Sequence, residues 1–290
     1  ILSIVVGLLA GLGSVIIKNL TYLFSLFLKN YYIDKYFSEF YFVTPVIGFL
    51  LAMLLSKYVI KKSVGHGIPT ALASLSKRGG KMDFKDMFSS VITAPITVSF
   101  GGSAGLEGPS AVTGSSIGSN LAQLFHLKTT SRKLLLVCGA AASLSAIFKA
   151  PIAAILFAIE VFGLDFTFSS LLPLLLASVS AVFTRLFFLS EQYLIDLQKV
   201  SDFDLGNLGF FILFGIITAF VSLYFTKIYI YVEEFLKGIK NDYKRTLLAG
   251  VGVGILVFIA RPLYGEGFEF MNTLIKNDDK AIIDQFIVFE

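Results

Sequence analysis

Apolar runs of spanning length recur from one end of this chain to the other, separated by charged loops or broken by glycine and proline. Residues 1–29, 41–60, 166–189, 208–235 and 247–263 read as spans, since a hydrocarbon core of about 30 Å takes roughly 20 helical residues. Backbone polar groups at that depth must be paired within the protein, and non-helical backbone survives there only where protein or a polar cavity satisfies it. The expected class is therefore an all-α, polytopic membrane protein with tilted and re-entrant helices. Composition agrees through its missing charge: 56% of the 290 residues are hydrophobic and only 15% are charged, against about 25% in a soluble domain. No signal peptide leads into a soluble domain, and Ile1 in place of an initiator Met reads as a fragment. The single Cys138 lies in an apolar run and reads as a buried inert thiol. The net charge of +4 is accounted for by basic membrane loops. No basic stripe interleaved with aromatics is present, which excludes nucleic acid as a partner.

Two breaks in the oil carry the chemistry. Gly101 to Pro109 reads GGSAGLEGP and precedes a helix-like run of small residues, 110–125. Pro109 suits a first helical turn, where its missing N–H would be unpaired anyway. A helix start offers free N–H donors and partial positive charge, hence an anion site. Glu107 stands beside it. Ionised, its carboxylate competes with an anion; protonated, it leaves the site to a free halide. One residue would then serve as gate and proton carrier. A plain acidic helix cap at a wet loop is the competing reading. The second break, Gly65-His66-Gly67-Ile68-Pro69, precedes a segment at 70–76 too short to span, which reads as a re-entrant half-helix. His66 could donate to an anion or charge near pH 6 to 7, although a lone loop histidine is more simply solvated. Glu160 closes the short apolar segment 151–162 and reads as an interfacial helix terminus, His126 as a loop cap, and Arg185 and Arg261 as snorkelling or structural pairs.

Basic residues concentrate in four loops: Lys61 and Lys62; Lys77, Arg78, Lys81 and Lys85; Lys128, Arg132 and Lys133; Lys237, Lys240, Lys244 and Arg245. The connections at 30–40 and 191–204 lack this excess, so the positive-inside rule puts the four in the cytoplasm. Gly7, Ser14 and Phe27-Leu28-Lys29 line up at a constant offset with Gly215, Ser222 and Phe235-Leu236-Lys237, and Gly65-His66-Gly67 is echoed by Gly265-Glu266-Gly267. The loop charges following the two copies differ, which suggests an inverted repeat. The copies divide the chain into 1–206, a first membrane repeat holding the anion-site loops, and 207–290, the start of a second, truncated one.

Gly65-His66-Gly67-Ile68-Pro69, Gly105-Leu106-Glu107-Gly108-Pro109 and Phe148-Lys149-Ala150-Pro151 running on to Glu160 occur in that order and spacing. Together they resemble the CLC family of chloride channels and chloride/proton antiporters. The resemblance implies an inverted-repeat fold whose helix N-termini point at chloride, in a homodimer with one anion path per subunit. It matches Glu107 to the gating, proton-accepting glutamate. It matches Gly105, Leu106, Gly108 and Pro109 to the outer anion site, and Gly65, His66, Gly67, Ile68 and Pro69 to the inner one. The sequence departs from the family pattern at three positions: His66 for a serine that contacts the central anion, Leu106 for a basic residue, and Val161, beside Glu160, where proton-coupled exchangers carry an inner glutamate and channels commonly carry valine. The second-half G-x-F-x-P signature and pore tyrosine do not occur in these residues.

The expected function is Glu107-gated chloride conduction, with chloride/proton exchange through the same glutamate as the alternative. The expected setting is a lipid bilayer, the plasma (inner) membrane of a prokaryote. No cofactor or metal is called for, and chloride is the transported ion. An enzyme is disfavoured because H-E-x-x-H and a Walker A lysine are both missing.

Overall fold

The computed structural model describes residues 1–28, 42–62, 67–163, 167–189 and 205–275. The connections read at 30–40 and 191–204, together with Gly65, His66 and 276–290, lie outside the described residues. Among those described, the regular structure is helical throughout, as the apolar runs require. The helices are α1 (Leu2–Leu28), α2 (Thr44–Leu54), α3 (Ile68–Lys77), α4 (Asp86–Ser99), α5 (Glu107–Leu124), α6 (Thr129–Phe148), α7 (Pro151–Phe162), α8 (Phe168–Phe188), α9 (Leu208–Lys237), α10 (Asp242–Ile259) and α11 (Phe268–Ile275). Four segments, Leu2–Leu28, Thr129–Phe148, Phe168–Phe188 and Leu205–Lys237, are long and apolar enough to cross a bilayer. The chain is a multi-pass membrane protein.

Three boundaries differ from the sequence reading. The span expected at 41–60 begins at Thr44 with Pro45 in its first turn, and its last six residues, Leu55–Ile60, widen into a π-helical turn that Lys61 closes in the left-handed region. The helix read at 110–125 starts three residues earlier, at Glu107, because Pro109 is tolerated within the first turn. The run read as 247–263 starts at Asp242, where Asn241 caps it by accepting from the N–H groups of Tyr243 and Lys244, and it ends at Ile259 ahead of a 3₁₀ turn at Arg261–Leu263. The half-helix read at 70–76 occupies ten residues and is indeed too short to span.

Small residues decide which helices touch. A Cβ on Gly139 of α6 would lie 1.9 Å from the Gly114 carbonyl oxygen of α5, and one on Gly118 would lie 1.9 Å from that of Leu135. Gly7 and Gly11 of α1 press on the backbone of Ala177 and Ala181 of α8 in the same way, and Gly250 and Gly254 of α10 on Val46 and Phe42. These are close backbone approaches between small-xxx-small faces, the packing mode of helices in lipid. The α5–α6 interior is also polar: Ser110, Thr113, Ser115, Ser116, Ser119, Ser143 and Ser145 are all buried. Arg185 of α8 is buried too, and its guanidinium donates to the Ala146 and Ile147 carbonyls, satisfying the C-terminal end of α6. It is the structural pair expected of it.

The four basic loops meet at one end. Arg132 Nε donates to the Gly79 carbonyl (2.8 Å), Lys62 pairs with Asp83 and Asp86, and Lys57 reaches Asp242 while the Tyr58 and Tyr243 hydroxyls hydrogen-bond. The serine face of α5 holds the loop between α3 and α4: Ser119 Oγ donates to the Gly80 carbonyl and accepts from the Met82 N–H. By the positive-inside rule this is the cytoplasmic end.

Candidate functional site

Both sequence breaks become helix starts, and the fold brings them together. Gly67 adopts φ 70°, ψ −133°, a conformation that favours glycine, and α3 begins at the next residue with Pro69 in its first turn. α5 begins at Glu107. A Cβ on Gly67 would stand 3.5 Å from the Gly108 Cα, so the two starts touch through bare backbone. Ile68 packs with Ala111, Leu144 and Ala154 and fixes the approach. The ten residues of α3 make a helix about 15 Å long, which separates Gly67 and Gly108 from the basic end.

Glu107 is the first residue inside α5 and not its cap. Leu106 holds the cap position, and no side chain caps the free N–H groups there. The Glu107 carboxylate folds back over Gly105: a Cβ on that glycine would fall 1.7 Å from Glu107 Oε2. Glu107, Gly108 and Pro109 are half-buried and Gly105 is exposed, while Leu106 is packed among Ile17, Ala94 and Val98. The arrangement presents a carboxylate and a helix start without a side-chain cap at one point, and a small anion fits the chemistry of helix-start N–H donors.

A cavity of about 590 Å³ opens beside Leu106. Its walls include Lys18 of α1, Ser99, and Arg261, Tyr264 and Glu266 from the segment after α10. The Tyr264 hydroxyl donates to the Ser99 carbonyl (2.8 Å). Its ring lies where a Gly101 side chain would be, 2.5 Å from an ideal Cβ, and Gly101 itself has φ 92°. Gly265 and Gly267, both at positive φ, lead into α11 on the same cavity.

On the cytoplasmic side Lys62, next to the Gly65–Pro69 break, is clamped by two aspartates. Its Nζ lies 2.6 Å from Asp83 Oδ2 and 2.8 Å from Asp86 Oδ1. Burial pulls the Lys62 ammonium down, but the hydrogen bonds and charges of Asp83 and Asp86 outweigh it and leave it above the usual lysine value. The hydrogen bond from Lys62, helped by its charge, holds Asp83 below the usual carboxylate range.

The structure thus joins Gly67, Ile68 and Pro69 to Gly105, Leu106, Glu107, Gly108 and Pro109; Gly65 and His66 are outside the described residues. Val161 is partly buried on α7, packed against the main core, and the neighbouring Glu160 is exposed. Sequence reasoning passed over Lys18 and Tyr264. A lone cation inside an apolar run was the available signal for Lys18; Tyr264 had none.

Two broken helices whose starts meet inside a bundle of small-residue contacts define a polytopic helical membrane protein. The comparisons supply the family. The sequence model of the voltage gated chloride channel family matches residues 47–289, and the chain belongs to that family. It is similar to the H(+)/Cl(-) exchange transporter ClcA of Yersinia pestis, with 28% identity over 228 residues, which cover 76% of this chain and 48% of the relative. The same values hold for ClcA of Yersinia pseudotuberculosis. The chain therefore spans about half the length of these curated relatives. Two solved structures share its fold at 22% identity. One is a CLC-type fluoride/proton antiporter, with a TM-score of 0.81 over 99% of this chain and 73% of that one. The other is a slow cyanobacterial Cl-/H+ antiporter, with a TM-score of 0.75 over 92% of this chain and 65% of that one.

Proposed function

We propose that the protein moves chloride, or a similarly small anion, across a membrane, and that the Glu107 carboxylate gates the path. The observation that carries this reading is the meeting of two uncapped helix starts at Gly67 and Gly108, with the Glu107 side chain folded over Gly105 beside them. The anion is held by backbone donors near Gly67, Ile68 and Pro69 on the inner side and near Gly105, Leu106, Gly108 and Pro109 on the outer side, with Gly65 and His66 completing the inner site. When ionised, Glu107 occupies the position an anion would take; protonation removes the competing charge. Val161, an aliphatic side chain in the core, supports passive conduction because it offers no inner proton acceptor. The exchange activity named for the Yersinia relatives supports the second reading, in which Glu107 carries a proton against the anion. The setting is a prokaryotic inner membrane, with a homodimer as the assembly and residues 1–206 and 207–290 as the two membrane repeats.

Flux from liposomes holding the full-length protein tests both readings. Glu107→Gln is expected to give anion flux that no longer responds to pH. Flux in that variant with the wild-type pH response removes Glu107 from the mechanism. In the wild type, a chloride gradient that drives protons uphill selects exchange, and a gradient that drives none selects conduction.

A further inference from the structure

The cavity of about 590 Å³ beside Leu106 is lined by cations, hydroxyls and a helix start. We infer that Lys18 of α1 is the cation of an outer anion-collecting chamber, supplying from a neighbouring helix the positive charge that position 106 lacks. The inference rests on the transport reading above and extends it by one residue and one site.

Lys18 stands within a 27-residue apolar helix, where an ionisable group is expensive and is retained for a partner or a purpose. Among the described residues it forms no ion pair and no hydrogen bond; it lines the cavity instead. Arg185, Glu266, Lys149 and Glu107 are the charged groups near enough to act on it. Two helix starts reach the same chamber, through Leu106 ahead of α5 and through Gly267 and Phe268 at the head of α11, and each brings the partial positive charge of a helix N-terminus. With Lys18 and Arg261 as cations and, among the described side chains, Glu266 as the one carboxylate in its walls, the chamber suits a small monovalent anion.

Packing explains why the charge sits on α1. Leu106 is 1% exposed and locked among Ile17, Ala94 and Val98, a place where a basic side chain would be stripped of water without a partner. Ile17, which packs on Leu106, is followed by Lys18, and the helix turn carries that next side chain to the cavity wall. Tyr22 lies one turn further along α1, lines the same cavity and is largely exposed, so it offers a second position for the same charge.

The test measures chloride dependence of flux in proteoliposomes and chloride binding to the purified full-length protein by calorimetry. Lys18→Gln is expected to raise the half-saturating chloride about tenfold, the size expected for losing one nearby charge of opposite sign, with the maximal rate kept. Lys18→Arg should stay near wild type, and Lys18→Gln with Tyr22→Lys should recover most of the loss, which a purely structural role for Lys18 would not allow. An unchanged half-saturation in Lys18→Gln, or a loss that neither Arg nor the moved lysine repairs, overturns the inference. Binding that weakens in Lys18→Gln while the wild type carries no flux supports the chamber and overturns the transport reading instead.

Discussion

Among the four described helices of spanning length, the most apolar is the least buried, and the least apolar is the most buried. α9 presents phenylalanine, isoleucine and tyrosine on every side, and none of its spanning window is buried. α6, rich in alanine and serine, has 72% of its window buried. In water the order would be reversed. In lipid, apolar surface gains nothing by leaving one hydrocarbon for another, and association depends on how closely backbones approach. The α5–α6 contact rests on Gly114, Gly118 and Gly139, whereas Gly215 of α9 has open space around it. Apolarity thus marks a helix as membrane-borne, and small residues mark it as part of the core.

Four substitutions would break or sharpen that contrast. The largest effect is expected from Gly139→Leu, whose Cβ alone falls 1.9 Å from a backbone oxygen. It should cost more than about 3 kcal/mol, or prevent folding, because overpacking against backbone has no side chain to displace. A thermal melt in detergent within a few degrees of wild type would show that the α5–α6 packing is not what holds the bundle. A middle effect is expected at the cytoplasmic end. Lys62→Met leaves the buried Asp86 without its cation and should cost roughly 1–3 kcal/mol in the same melt.

The Lys62 clamp also sets a pH window. Asp83 has a lowered value when folded, so its contribution is present above its unfolded value near 3.8 and is lost as pH falls through the lower folded one. Lys62 has a raised value, so its contribution is full below its unfolded value of 10.5 and is lost as pH rises through the higher folded one. Stability from the clamp should therefore be flat between about pH 4 and pH 10, and Asp83→Asn should flatten the acid limb of the wild-type profile. The smallest effect belongs to Gly215→Ala on exposed α9, where the added methyl meets nothing. A change within about 1 kcal/mol, in the stabilising direction, is expected from helix propensity alone, and a large loss there would mean α9 packs as tightly as α6.

The same contrast explains what was legible in the sequence. The existence of the helices follows from apolar length, and α7 occupies the 151–162 range that Pro151 and Gly163 punctuate. The Glu107 and Gly67 breaks were visible as glycine and proline in oil, yet only the folded chain shows their backbones in contact. Boundaries failed where local geometry outranked hydropathy: polar Asp242 begins α10 because Asn241 caps it, and Leu55–Ile60 leaves α-geometry inside a run read as one span. Lys18 was illegible because it belongs to no motif; its meaning comes from the wall it shares with Leu106 and Glu266. The proposed repeat of α1 in α9 pairs two helices of similar length and different surroundings: Gly7 presses on Ala177 while Gly215 faces open space.

Gly101 shows how much a missing side chain can govern. The Tyr264 ring fills the space a methyl group would need and from there reaches the Ser99 carbonyl. The residues after α10 are thus latched to the end of α4 by a vacancy, at a position whose φ of 92° already disfavours any side chain. Steric room and backbone conformation make the same demand on one residue. The floor of the chamber outside Glu107 is laid by an aromatic ring, and its level is fixed by a hydrogen atom.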